Sequence, residues 1–93
     1  VTVEHFTGKP SMKVMLYALS TCGWCKKTIE LLKQQNIEFD YQYVDLLEGK
    51  EQDDAMTIME KFNPRGSFPT LIIDDTRCIV GFNEKEIIGV LRE

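Results

Sequence analysis

The spacing of apolar positions changes several times along the chain, and each change marks an element. Residues 13–19 carry the run Val14-Met15-Leu16-Tyr17-Ala18-Leu19, short and apolar throughout, which suits a strand buried on both faces. Over residues 25–35 the period lengthens. Cys25, Ile29 and Leu32 fall at i, i+4 and i+7, Thr28 and Leu31 widen the stripe, and Lys26, Lys27, Glu30, Lys33 and Gln34 lie outside it. This predicts an amphipathic helix, with Lys26–Glu30 as an i, i+4 pair and Asn36 ending it in a left-handed turn. Residues 39–44 then alternate Phe39, Tyr41 and Tyr43 with Asp40 and Gln42, a second strand. Strand, helix and strand with short links make a βαβ unit, with parallel strands and a right-handed crossover.

Residues 45–50 read as an acidic loop. Ala55, Ile58, Met59 and Phe62 restore helical spacing, with Asp53 and Asp54 toward the positive end of the dipole and Asn63-Pro64 as the stop. Met56 and Met59 read as core filler. After the loop Arg65-Gly66-Ser67-Phe68-Pro69, the run Thr70-Leu71-Ile72-Ile73 turns at Asp74-Asp75 and returns as Arg77-Cys78-Ile79-Val80-Gly81, an antiparallel hairpin. Asn83 and Glu86 have capping-box spacing ahead of a last helix striped by Ile87, Ile88 and Leu91. Residues 1–12, with Gly8, Pro10 and Ser11, show no long periodicity and read as an irregular arm, with Val1-Thr2-Val3 as an alternative short edge strand. The expected order is β-α-β-α-β-β-α, with the domain proper over residues 13–93.

Composition narrows the class. A chain of 93 residues with 43% hydrophobic and 28% charged residues fits one small globular domain. A net charge of −4 argues against nucleic-acid or anionic-membrane binding, and no apolar run approaches the roughly 18 residues of a membrane span. No leader pattern is visible, and a start at Val1 rather than Met is compatible with one already removed. Three cysteines, two of them in C-x-x-C, do not make a disulfide framework; they fit a cytoplasmic protein with a working pair and a spare.

The pair is Cys22-Gly23-Trp24-Cys25, at the junction of the first apolar strand and the first helix. A thiolate is the attacking species in disulfide exchange. Cys22 at the helix start would face unpaired backbone N–H groups and the positive end of the dipole, with Lys26 and Lys27 within one turn. Cys25, on the apolar stripe, would be more buried, stay protonated until needed, and reach back to release a mixed disulfide. Half of a zinc site and an inert pair of core cysteines are the other readings of C-x-x-C. Zinc wants four ligands, and Cys78 and His5 are the only further thiol and imidazole, so no metal set is assigned. Cys78 reads as a small hydrophobe within a strand.

Taken together, Cys22-Gly23-Trp24-Cys25 after a strand, Ser67-Phe68-Pro69-Thr70 before the hairpin and Gly81-Phe82-Asn83-Glu84 before the last helix resemble the glutaredoxin family of the thioredoxin fold. The resemblance implies an α/β fold with a four-stranded mixed sheet, order 2-1-3-4, flanked by helices. It implies a cis Pro69 lying opposite Cys22, with the Phe68 backbone free to pair with an extended substrate. It implies a thiol–disulfide oxidoreductase, with Cys22 as nucleophile and Cys25 as resolving thiol. Trp24, Phe68, Pro69, Gly81, Phe82 and Asn83 would contact substrate, and Lys26 or Arg65 would pair with a carboxylate. No tightly bound cofactor is expected, glutathione being the possible reductant, and the partners would be protein disulfides met by a monomer. Gly-Trp between the cysteines, Ser-Phe-Pro and Phe-Asn-Glu depart from the commoner family patterns. The Gly81-Phe82 step is similar to glutaredoxin-like donors fed by a thioredoxin-type reductase. Two alternatives therefore stand: such a glutathione-independent donor, and a carrier bridging a [2Fe–2S] cluster between two chains.

Overall fold

Parallel pairing of two strands across a helix sets the frame. In the computed structural model, which describes residues 3–10 and 12–92, β2 (Val14–Ala18) and β3 (Phe39–Tyr43) run parallel, joined through α1 (Gly23–Gln34). β4 (Thr70–Ile73) lies antiparallel on the other side of β2, and β5 (Arg77–Val80) returns beside β4. Asp74 and Asp75 at the hairpin tip both take positive φ, 54° and 56°, and the Thr76 amide donates to the Ile73 carbonyl at 3.1 Å, with Ile73 paired to Arg77 across a three-residue tip.

The remaining strand departs from expectation. β1 (Val3–Phe6) pairs antiparallel with β3, so the sheet has five strands in the order β1-β3-β2-β4-β5. The expected four-strand order is kept within it, with an edge strand added where an irregular arm was expected. The segment is docked further along as well. The Lys9 amide donates to the Asn36 carbonyl at 2.7 Å, and the Glu38 amide donates to the Lys9 carbonyl at 3.2 Å. Gly8 permits that approach, since a Cβ there would lie 2.8 Å from the Asn36 carbonyl oxygen. Of the Val1-Thr2-Val3 alternative, Val1 and Thr2 lie outside the described residues, as do Ser11 and Glu93.

Side-chain alternation along β2 builds a core on each face of the sheet. Leu16 and Ala18 join Cys25, Ile29, Leu32, Phe39, Leu71, Ile87 and Leu91, which places α1 and α3 (Glu84–Leu91) on one face. Tyr17 joins Val44, Leu47, Ala55, Met59 and Ile72 on the other, under α2 (Gly49–Phe62). Fully burying one such Leu or Met side chain stabilises the fold by about 1.5–3 kcal/mol, so the paired clusters hold the layers together.

α2 corrects two expectations. It begins at Gly49, and a short 3-10 turn, Val44–Leu46, precedes it, so residues 45–50 are not one loop. Ile58 is 46% exposed; the buried stripe of α2 is Ala55 and Met59. On α1 the stripe Cys25, Thr28, Ile29, Leu31 and Leu32 is buried as expected, and Asn36 follows at φ 54°. Lys26 and Glu30 form no ion pair. Among the described residues no helix is long and apolar enough to cross a membrane.

Candidate redox site

Cys22 occupies the N-cap of α1 in extended backbone geometry, and its Sγ accepts the Cys25 backbone N–H at 3.2 Å. A cap acceptor satisfies one of the amides that a helix start leaves unpaired, and here the acceptor is a sulfur instead of the usual hydroxyl or carboxylate. Cys22 is half-buried and Cys25 fully buried beneath it, both as free thiols. Burial, then the hydrogen bond shared with Cys22, pushes the Cys25 thiol up from 9.0 to about 12; a backbone hydrogen bond at Leu19 works in the opposite direction. The fold therefore presents one sulfur to solvent and keeps a protonated one behind it.

Local hydrogen bonds fix the motif. The Cys22 amide donates to the Leu19 carbonyl at 3.2 Å, closing a turn after β2. Ser20, inside that turn, donates its backbone N–H to Asp45 Oδ1 at 2.8 Å and its hydroxyl to Asp45 Oδ2 at 2.5 Å. These bonds hold the Asp45 carboxyl below the usual carboxylate range. On the helix side, the buried Thr28 hydroxyl donates to the Trp24 carbonyl at 2.9 Å.

Three separated segments meet beside the motif. Trp24, Phe68, Pro69, Gly81 and Phe82 line an open groove of about 230 Å³. The Trp24 and Phe82 rings stack, with centroids 5.9 Å apart and planes at 23°, and Lys27 Nζ sits 4.7 Å from the Trp24 ring centre. The Phe68–Pro69 peptide is cis. Among the described residues no backbone group pairs with the Phe68 N–H or C=O, whereas the Pro69 carbonyl accepts the Gly81 amide at 2.9 Å. Gly81 takes φ +80°, which makes the glycine's conformational freedom useful there.

Beneath this loop lies a buried polar knot. Asn63 Nδ2 donates to the Ser67 carbonyl at 3.1 Å and to Thr70 Oγ1 at 2.9 Å, and the Thr70 hydroxyl donates to the same carbonyl at 2.7 Å. Asn63 and Thr70 are both buried, so the knot satisfies groups that would otherwise be costly inside the protein.

Of the residues expected at the site, Trp24, Phe68, Pro69, Gly81 and Phe82 come together in the groove beside Cys22 and Cys25. Lys26, Arg65 and Asn83 do not line it. Lys26 and Arg65 are exposed, and Asn83 is the N-cap of α3, accepting the Glu86 amide at 3.1 Å. Lys27, Asp45 and Asn63 were missed as site residues. Lys27, two positions after Cys25, and an Asp directly after an alternating strand were visible signals; nothing local marks Asn63 beyond its place before Pro64. Among the described residues no group of His, Cys, Asp and Glu is arranged to hold a metal ion. Cys78 stands apart on β5, its thiol pushed up by burial and then by Glu86.

Comparison with known proteins agrees with this geometry. The crystal structure of the glutaredoxin from Methanosarcina mazei Go1 superposes with a TM-score of 0.91 at 52% identity, over 98% of this chain and 88% of that one. That of Methanosarcina acetivorans methanoredoxin gives 0.89 at 47% identity, over 91% of this chain and 90% of that one. An uncharacterized glutaredoxin-like 8.6 kDa protein in the rubredoxin operon of Clostridium pasteurianum is 37% identical over 75 residues, spanning 80% of this chain and 91% of its own. Residues 14–78 match the family model for glutaredoxin, and with the strand-to-helix C-x-x-C and the cis-proline loop in place, the chain belongs to the glutaredoxin family.

Proposed function

We propose that the protein is a cytoplasmic thiol–disulfide oxidoreductase that reduces protein disulfides through Cys22 and Cys25. The observation that carries this reading is the asymmetry of the pair: a half-buried sulfur at a helix N-cap, with a protonated, fully buried thiol behind it. The Cys22 thiolate attacks one sulfur of the substrate disulfide, and the other leaves as a thiolate that takes up a proton. Cys25 then loses its proton and attacks Cys22 Sγ. The Cys22–substrate bond breaks, the intramolecular disulfide forms and the second substrate thiol departs. Two electrons pass from the pair to the substrate, and the Cys25 proton together with one proton from solvent completes the two substrate thiols.

The groove suggests what lies next to the substrate cysteine. Its lining is aromatic and aliphatic, and the free Phe68 backbone groups can pair with an extended strand. An unfolded or loop segment with an apolar side chain flanking its cysteine suits that surface. Glutathione brings two carboxylates, and among the described residues the groove lining supplies no cation; Lys27 lies over Trp24, and neither Lys26 nor Arg65 lines the groove. A flavin-dependent thioredoxin-type reductase is thus the electron source we favour over glutathione.

The test is a Cys25→Ser protein incubated with a disulfide-bonded protein substrate. A mixed disulfide through Cys22 should accumulate, and Cys22→Ser protein should neither form one nor turn over. Failure to trap it, or activity in Cys22→Ser, overturns the reading. A visible absorption band after anaerobic reconstitution would turn attention to the [2Fe–2S] carrier alternative.

A further inference from the structure

The nucleophilic sulfur has beside it an aromatic pair that the thiol chemistry does not itself use. Trp24 lies between the two cysteines and stays 58% exposed although its ring stacks on Phe82. Single exposed apolar side chains are ordinary on a protein surface. Trp24 is not single, because it shares one apolar groove with Phe68, Pro69, Gly81 and Phe82.

Each ring is also held from outside the stack. The Trp24 carbonyl accepts the buried Thr28 hydroxyl at 2.9 Å, and Lys27 Nζ lies 4.7 Å from the ring centre. Phe82 follows Gly81, whose amide donates to the Pro69 carbonyl at 2.9 Å. The stack therefore joins the start of α1 to the β5–α3 connection before any substrate arrives, and a preformed wall binds without first having to order its side chains. At about 230 Å³ the groove falls short of the roughly 300 Å³ at which a pocket encloses a whole small molecule, and it suits a single side chain.

We propose that Trp24 and Phe82 act together as specificity-determining residues, selecting disulfides whose cysteine has a bulky apolar side chain within two residues along an extended chain. The inference rests on the thiol–disulfide reading above and adds which residues read the substrate and what they read. The Phe68 backbone groups, which no backbone group occupies among the described residues, hold the chain extended while the stacked rings take the side chain.

The test is an internal competition. Two short peptides, identical but for one residue, are offered as symmetric disulfides in equal amounts to a deficit of reduced protein at pH 7. One carries Phe and the other Ser, at each position within two residues of the cysteine in turn. Acid quench and chromatography of the released peptide thiols give the ratio of the two kcat/KM values, normalised to the ratio that a small dithiol gives. A variant with a smaller folded or reactive fraction slows both peptides alike, so a merely structural role for the rings leaves this ratio unmoved.

Wild type should favour the Phe peptide about five- to tenfold at the best position, as a gained aromatic contact implies. Trp24→Ala, Phe82→Ala and the double variant should each leave about twofold or less, because the two rings act as one unit. Trp24→Phe, which keeps a ring to stack, should retain most of the preference. An absent preference in wild type, or one kept by either single Ala variant, overturns the inference and leaves the redox reading intact. Absence of a trapped mixed disulfide in Cys25→Ser protein overturns both.

Discussion

Cys25 should make the stability of the reduced protein fall at alkaline pH, and a difference measurement isolates the effect. Its thiol stands at about 12 in the fold against an ordinary value of 9.0, chiefly because burial penalises the thiolate. The unfolded chain therefore loses this proton before the folded one does. Between the two values the native state binds more protons than the unfolded state, so stability falls as pH rises. The contribution is fully present below pH 9 and lost as pH climbs toward 12; over that span it amounts to about 4 kcal/mol. The perturbation is Cys25→Ala, which deletes the ionising group at a fully buried position while leaving the backbone N–H that Cys22 Sγ accepts. Burial also raises Cys78 and Tyr17, which destabilise the fold in the same direction at high pH but remain in both proteins and cancel in the difference; Tyr43, whose hydroxyl also feels Cys25, is replaced by Phe in both proteins. The assay is urea unfolding with a non-thiol reductant at half-unit steps from pH 7.5 to 10.5. On this Tyr43→Phe background, the protein that keeps Cys25 should be steady relative to Cys25→Ala below pH 8.5 and lose ground progressively above pH 9. Parallel curves throughout would refute the assignment of a buried, protonated Cys25.

Three further outcomes follow from contacts outside the dithiol. Gly8→Ala places a Cβ against the Asn36 carbonyl and should cost about 1–3 kcal/mol, read as a lower urea midpoint. Asn63→Ala withdraws the donor shared by Ser67 and Thr70 inside the protein and should cost about 1–3 kcal/mol, with disulfide reductase activity reduced because that knot supports the Phe68–Pro69 loop. The His5–Asp40 contact raises the His5 imidazole through its hydrogen bond to Asp40. Its small stabilisation should be present below pH 6.5 and fade as pH rises through the raised value, and His5→Gln should remove that dependence from the urea midpoints.

How much of this was legible in the sequence depended on whether each feature is encoded locally. The α1 stripe, the Asn36 terminus, the Asp74-Asp75 turn and the Asn83 cap all rest on residues within a few positions of each other, and all can be read from spacing. β1 could not. Val3-Glu4-His5-Phe6 is short and mostly exposed, and its partner strand begins more than 30 residues later. The start of α2 was hidden for a related reason: Gly49-Lys50-Glu51-Gln52 has no apolar residue to set a period. Ile58 shows the opposite failure, an apolar residue at helical spacing that the sheet does not cover. At the site, C-x-x-C and the proline loop were visible as motifs. The Asp45–Ser20 grip and the Asn63 knot were not, because each joins polar residues that only the folded chain brings together.

The division of labour between the two cysteines is open to one direct measurement. Reduced native protein is exposed to a brief, substoichiometric pulse of iodoacetamide at pH 7, quenched, digested and mapped by mass spectrometry. Cys22, the half-buried cap, should carry nearly all of the label, with Cys25 and Cys78 unmodified. Predominant labelling of Cys25 or Cys78 would contradict the assignment of Cys22 as the attacking thiol.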